Sequence, residues 1–131
     1  MAPEMKAVFV FILAENRLLR GALTRFLNKN SDIQVIGASA FSADIVKQIT
    51  TMRPDVLVSD SSALALSDLQ FVGTTVPDLK VVLISMKVDC ERFLHVVRDG
   101  ACVLQDASAM EVAAAIRSIA ARRRIGPAAQ P

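Results

Sequence analysis

Four short apolar runs, each bounded by polar or turn residues, constrain this chain more than any other feature: Val8–Leu13, Ile33–Ile36, Val56–Val58 and Val81–Ile84. Val103-Leu104 is a shorter fifth. Successive strand residues point to opposite faces, so a half-exposed strand alternates apolar with polar. These runs do not alternate, and they are rich in β-branched residues. Continuous apolarity of this length belongs to strands covered on both faces, as in a parallel sheet.

Helical periodicity fills the intervals. Leu18, Leu19, Ala22, Leu23, Phe26 and Leu27 recur at the spacing of one helix face. Ile45, Val46 and Ile49 mark a second helix, which must stop before Pro54 because the residue preceding a proline is driven out of the helical region. Ser67–Val72, bounded by Gly73 and Pro77, reads as a weak third. Phe93, Leu94, Val96 and Val97 make a fourth, closed near Gly100. Ser108 and Glu111 have capping-box spacing, and Val112, Ala115, Ile116 and Ile119 follow with apolar period. That helix should run to about Arg122, with Gly126-Pro127 beyond it. Strands alternating with helices over short connections imply a parallel sheet with right-handed crossovers. No internal repeat or low-complexity segment interrupts the pattern.

Hydrophobic residues make up 53% of the 131, which raises the question of a membrane. The longest uninterrupted apolar run, Ala7 to Ala14, is far short of the ~20 residues a spanning helix needs. Nor does it read as a signal peptide, since Pro3 and Glu4 precede it and Glu15-Asn16-Arg17 stands where a small-residue cleavage site belongs. The expectation is a cytoplasmic protein without membrane contact. Fifteen Lys and Arg against thirteen Asp and Glu leave a net charge of +2, too balanced to point to direct nucleic-acid binding. The run Arg122-Arg123-Arg124 suits a solvated helix end, where cations complement the dipole. Cys90 and Cys102 lack the second pair of a metal motif, and in a cytosolic chain they are expected to be reduced core residues. His95, the single histidine, sits in an apolar helical stretch and reads as a packing or surface residue.

In an open parallel sheet, ligands meet the carboxyl ends of the strands. Those ends carry Ala14-Glu15-Asn16, Asp60-Ser61-Ser62, Ser85-Met86 and Gln105-Asp106. Any chemistry of the chain should therefore centre on Asp60.

Taken in order, these segments resemble the receiver domain of two-component response regulators, most closely the branch with a LuxR-type (NarL-type) DNA-binding output domain. Leu13 to Leu23 is similar to that branch's passage from strand 1 to helix 1, and Pro54 to Asp60 to the strand ending in the phosphoacceptor aspartate. Val81 to Met86 resembles the strand that ends in a hydroxyl residue. Asp99-Gly100-Ala101 resembles the turn before strand 5, and Asp106-Ala107-Ser108 the approach to the last helix. The resemblance spans residues 6–122 and leaves 123–131 as a tail or linker. It implies a CheY-like, flavodoxin-like (βα)5 three-layer sandwich with strand order 2-1-3-4-5. It further implies a signalling domain rather than an enzyme, with Asp60 accepting a phosphoryl group from a histidine kinase. Glu15, Asp60 and the Ser62 main-chain carbonyl would hold Mg²⁺, a hard cation that takes oxygen ligands, and Ser85 and Gln105 would contact the phosphoryl oxygens.

The chain departs from the family pattern at several of these places. Ala14 replaces the first of two acidic residues after strand 1, and Gln105 stands where the family has a lysine. The segment from Ala101 to Gln105 is about two residues shorter than usual, without the Gly-aromatic pair. Ala63-Leu64 replaces a Met-Pro. Two readings stay open: a phosphorylation-independent module that binds partners or self-associates, with Mg²⁺ weak or absent, and a phosphoacceptor controlling a DNA-binding output domain. A flavin-binding or hydrolytic enzyme on a similar fold is disfavoured. Glu15-Asn16-Arg17 is not a hydroxyl-rich phosphate cradle, and Ser62 stands where a phosphoaspartyl hydrolase needs an acid.

Overall fold

A computed structural model of the chain describes residues 7–60, 72, 75, 76, 78–85, 87–96 and 100–121. They form β1 (Val8–Leu13), α1 (Arg17–Asn28), β2 (Ile33–Ser39), α2 (Ile45–Met52), β3 (Val56–Asp60), β4 (Lys80–Ser85), α3 (Lys87–Val96), β5 (Gly100–Leu104) and α4 (Ala109–Ala121). The five strands make one sheet of order β2-β1-β3-β4-β5, parallel at every pairing. The expected strand order and three-layer architecture are both present.

Neighbouring residues of the apolar runs feed separate cores. Phe11, Leu13, Leu57, Val81 and Leu83 face Ile45 and Ile49 of α2 and Phe93 of α3. Val10, Ile12, Val56, Val58 and Val82 face Leu23 and Leu27 of α1 and Val112, Ile116 and Ile119 of α4. Helices on both sides leave no face for polar residues on the central strands β1, β3 and β4, which is why these read as apolar runs; β2, at the edge, carries the exposed Gln34.

Local chemistry sets the ends. Asn16 caps α1, its side-chain oxygen accepting from the amides of Leu18 at 2.9 Å and Leu19 at 3.0 Å. Arg53 ends α2 in the left-handed region at φ 52°, one residue before Pro54. The Ser108 hydroxyl accepts from the Glu111 amide at 3.2 Å, the first half of the expected capping box.

β2 runs three residues past its expected end at Ile36. The register slips between Val10 and Phe11, leaving Ile36 unpaired as a bulge and setting Phe11 against Gly37. A Cβ on Gly37 would lie 2.7 Å from the Phe11 ring, so this glycine is the residue that lets the strand continue past the ring.

Cys90 of α3 and Cys102 of β5 are joined as a disulfide, which corrects the expectation of reduced thiols. α3 packs across β5 and brings the two Cα atoms to 5.6 Å, inside the window a bridge requires. Sequence spacing carries no information about that crossing distance.

A further long-range tie involves charge. Arg117 of α4 donates to Asp32 through Nε at 2.7 Å and Nη2 at 3.2 Å, and to Asn30 at 2.7 Å. The hydrogen bond from Arg117 holds the Asp32 carboxyl below its usual pKa and raises that of the guanidinium.

Among the described residues no helix is long and apolar enough to cross a membrane. The weak helix expected at Ser67–Val72 lies outside the described residues except for Val72, which is buried. The side chain of His95 and the run Arg122-Arg123-Arg124 also lie outside them.

Candidate functional site at the carboxyl edge of the sheet

Asp60 is the last residue of β3 and pairs in register with Ile84 of β4. Beside it lies a cleft of about 410 Å³ between α1 and the start of α4. Its polar lining comes from Asp60, Gln105 and Asn16. Leu19, Leu23, Ile84 and Val112 supply apolar walls, and Ala22, Ala107 and Ala109 keep those walls low. Asp60 is the only charged residue lining the cleft among the described residues.

Gln105 reaches this place through its main chain. Its amide donates to the Ser85 carbonyl at 3.0 Å, which ties the residue after β5 to the end of β4. The shortened segment before it therefore does not carry residue 105 away from Asp60. Ser85 ends β4 and is buried, 1% exposed, and it does not line the cleft.

Glu15 is arranged differently from Asp60. Its Oε2 accepts from the Phe41 amide at 2.9 Å, in the segment that follows β2. In the strand order β2 and β3 flank β1 on opposite sides, so the Glu15 carboxylate is engaged on the side away from Asp60. Ala14 is buried in the α1–α4 core, 2% exposed. The Ala14 carbonyl accepts from Arg20 Nη1 at 2.7 Å, a contact that sequence reasoning missed. The same guanidinium lines a separate, open groove with Arg17 and Arg25 on α1. Asn16, which the sequence places at the ligand-facing edge after strand 1, lines the cleft as well as capping α1. Ser62 lies outside the described residues.

Mg²⁺ is bound by carboxylate and carbonyl oxygens in near-octahedral geometry. No group of three or more His, Cys, Asp and Glu side chains converges among the described residues. Asp60 contributes one carboxylate while Glu15 is committed to Phe41. As arranged, the described donors do not fit a Mg²⁺ site.

No family model matches the chain. Oxygen regulatory protein NreC of Staphylococcus aureus is 25% identical over 116 residues, covering 84% of this chain and 54% of that protein. The chain thus spans about half the length of the curated relatives it matches. The signal receiver domain of the response regulator NarL from Mycobacterium tuberculosis superposes with a TM-score of 0.78 at 22% identity, over 90% of this chain and 99% of that one. A DNA-binding response regulator of the LuxR family from Staphylococcus aureus gives 0.76 at 18% identity, over 86% and 98%. The chain has the CheY-like receiver fold, and the proteins it resembles include two-component response regulators of the LuxR and NarL type.

Proposed function

We propose that this chain is a receiver-type regulatory domain whose signalling does not depend on phosphorylation of Asp60, and that it works by binding partners, a second copy of itself among them. The observation that carries this reading is the commitment of Glu15 to the Phe41 amide. With Ala14 in the neighbouring position, Asp60 is the one charged group among the described residues that line the cleft. Phosphoryl transfer relies on cations that offset the charge of the transferring group, and among the described residues the cleft lining holds no lysine or arginine and no group of three potential metal ligands converges. Mg²⁺ binding is accordingly weak or absent. In this reading the domain acts in the cytoplasm, turns over no substrate and makes no direct contact with DNA.

A second reading, a phosphoacceptor served by a histidine kinase, is favoured by two placements. Asp60 opens onto a cleft, and Asp60 and Ser85 end adjacent strands. Intact mass after incubation with acetyl phosphate and Mg²⁺ decides between them, with Asp60→Asn as the control. The expected result is no phosphoryl increment on the parent chain. A stoichiometric increment that disappears in Asp60→Asn establishes the second reading and removes the first.

A further inference from the structure

We infer that the arginine-lined groove on α1 is a binding site for a phosphate ester of the nucleotide class, held by Arg17, Arg20 and Arg25. The groove shares no lining residue with the cleft beside Asp60, so the inference does not depend on the state of that aspartate.

Two residues of α1 stand where a helix by itself disfavours them. Arg17 opens the helix directly after the Asn16 cap, and a cation there opposes the positive end of the helix dipole. Gly21 lies in the helix interior, where glycine is the poorest helix former other than proline. Both line the same groove. Local rules are broken where function demands it, and one demand, for an anion, accounts for both residues.

The glycine makes room for a guanidinium. Nη1 of Arg25 lies 3.3 Å from the position that a Cβ on Gly21 would take, so the side chain folds back one turn along the helix over bare backbone. Arg20 is fixed by main-chain oxygens, its Nη1 donating to the Ala14 carbonyl at 2.7 Å and the Glu15 carbonyl at 3.4 Å. A guanidinium has five N–H donors, so these bonds place Arg20 without exhausting it. Neither Arg17 nor Arg25 has a carboxylate partner among the described residues. No acidic residue occurs in α1 or in the groove lining. Like charges a helical turn apart repel, and an anion seated between them turns that repulsion into attraction.

The rest of the groove selects the kind of anion. Guanidinium forks match phosphate oxygens two at a time. The amides of Leu18 and Leu19 are taken by Asn16, so side chains, not the helix end, hold the ligand. The groove volume, about 450 Å³, is that of a small-molecule site and exceeds what a bare phosphate fills. Leu18, 83% exposed, and Ala38 of β2 give an apolar surface on which a flat base can rest. The Thr24 hydroxyl donates to the Arg20 carbonyl at 2.7 Å, which leaves its oxygen to accept from a sugar hydroxyl.

ADP, pyrophosphate and adenosine are titrated into the full chain without Mg²⁺ and followed by amide shifts. The salt is held at ~0.15 M, where charges more than about 8 Å apart are largely screened. ADP should saturate and shift Leu18, Gly21, Thr24 and Ala38; pyrophosphate should act on the same residues more weakly, and adenosine should not saturate. Arg17→Gln with Arg25→Gln should weaken ADP by about tenfold or more. Gly21→Leu should abolish binding of both phosphate probes without lowering the melting temperature, because leucine favours the helix. Ala38→Phe, at an exposed position of β2, supplies the same occupancy test if that variant does not fold. An ADP affinity unchanged by the arginine substitutions overturns the proposal, as does adenosine binding as tightly as ADP or shifts confined to other surfaces. Tighter arginine-dependent binding of polyglutamate, duplex DNA or phosphatidylglycerol vesicles than of ADP also overturns it, by giving the groove to a macromolecular partner.

Discussion

The disulfide between Cys90 and Cys102 ties α3 to the edge strand β5, and its removal should lower the stability of the chain substantially. The bridge closes a short loop, with a sequence separation of 12. In the chain-entropy model a loop of that size removes roughly 10 cal/mol/K from the unfolded ensemble, or about 3 kcal/mol at 25 °C. Unfolding entropy near 2.1 cal/mol/K per residue, taken over 131 residues, converts this to a fall in melting temperature of roughly 10 °C. The assay is calorimetric melting of the oxidised chain, the same chain after dithiothreitol, and Cys90→Ser with Cys102→Ser. Intact mass under non-reducing conditions and thiol alkylation establish the covalent state of each sample. Reduced and double-serine proteins should melt together, well below the oxidised one. Two outcomes would falsify the reasoning: native protein that alkylates at both cysteines without reductant, or oxidised and reduced forms that melt within a degree of each other. Amide exchange adds a spatial check, since faster exchange on reduction should concentrate in α3 and β5 and leave α1 and β2 protected.

Three further perturbations have defined outcomes. Because Arg117 lowers the pKa of Asp32, the pair adds stability above the ordinary carboxylate pKa and loses it as pH falls through the lowered value. Arg117→Gln should thus narrow the stability gap to the parent in strong acid and widen it near neutrality, with a small effect because both groups are exposed to solvent screening; equal gaps at pH 2 and pH 7 in urea titrations (order-of-magnitude settings, about two units below and three above the usual value) would sink the assignment. Gly37→Ala places a Cβ at 2.7 Å from the ring of Phe11, which is 1% exposed and cannot swing away; the expected cost is about 1–3 kcal/mol, read from chemical denaturation. Asn16→Ala removes both side-chain hydrogen bonds to the start of α1 and should cost about 0.5–2 kcal/mol, with amide exchange quickening first at Leu18 and Leu19.

The central strands are legible because burial on both faces writes itself into sequence as unbroken apolar runs. β1 begins and ends where Val8–Leu13 does, and Asp60 falls at the carboxyl edge because β3 ends on it. The missed features all depend on crossings between elements distant in sequence. β2 outran its apolar run since its continuation rests on the fit of Gly37 beneath Phe11, which no local pattern encodes. The cysteine pair was misjudged for the same reason, as two residues on α3 and β5 meet only once the helix lies across the strand.

The site shows the same division in a form that bears on function. Reading strand ends one at a time puts Glu15 and Asp60 on a common edge, and they do share it. Yet sharing an edge does not make two carboxylates share a ligand. β1 lies between β2 and β3, so a side chain leaving its end can serve either flank, and an unpaired main-chain amide after β2 is a strong local claimant. Glu15 meets that claim at Phe41, giving a charge-assisted hydrogen bond of the kind that is roughly twice as strong as a neutral one. A second acid at position 14 would have to leave the core, where Ala14 now packs with Val112 and Ala113. The alanine and the diverted glutamate are thus one structural fact: the end of β1 is committed to the α1–α4 core on one side and the β2 loop on the other. Among the described residues, the cleft beside Asp60 is lined by Asn16, Gln105 and apolar side chains, with no second carboxylate.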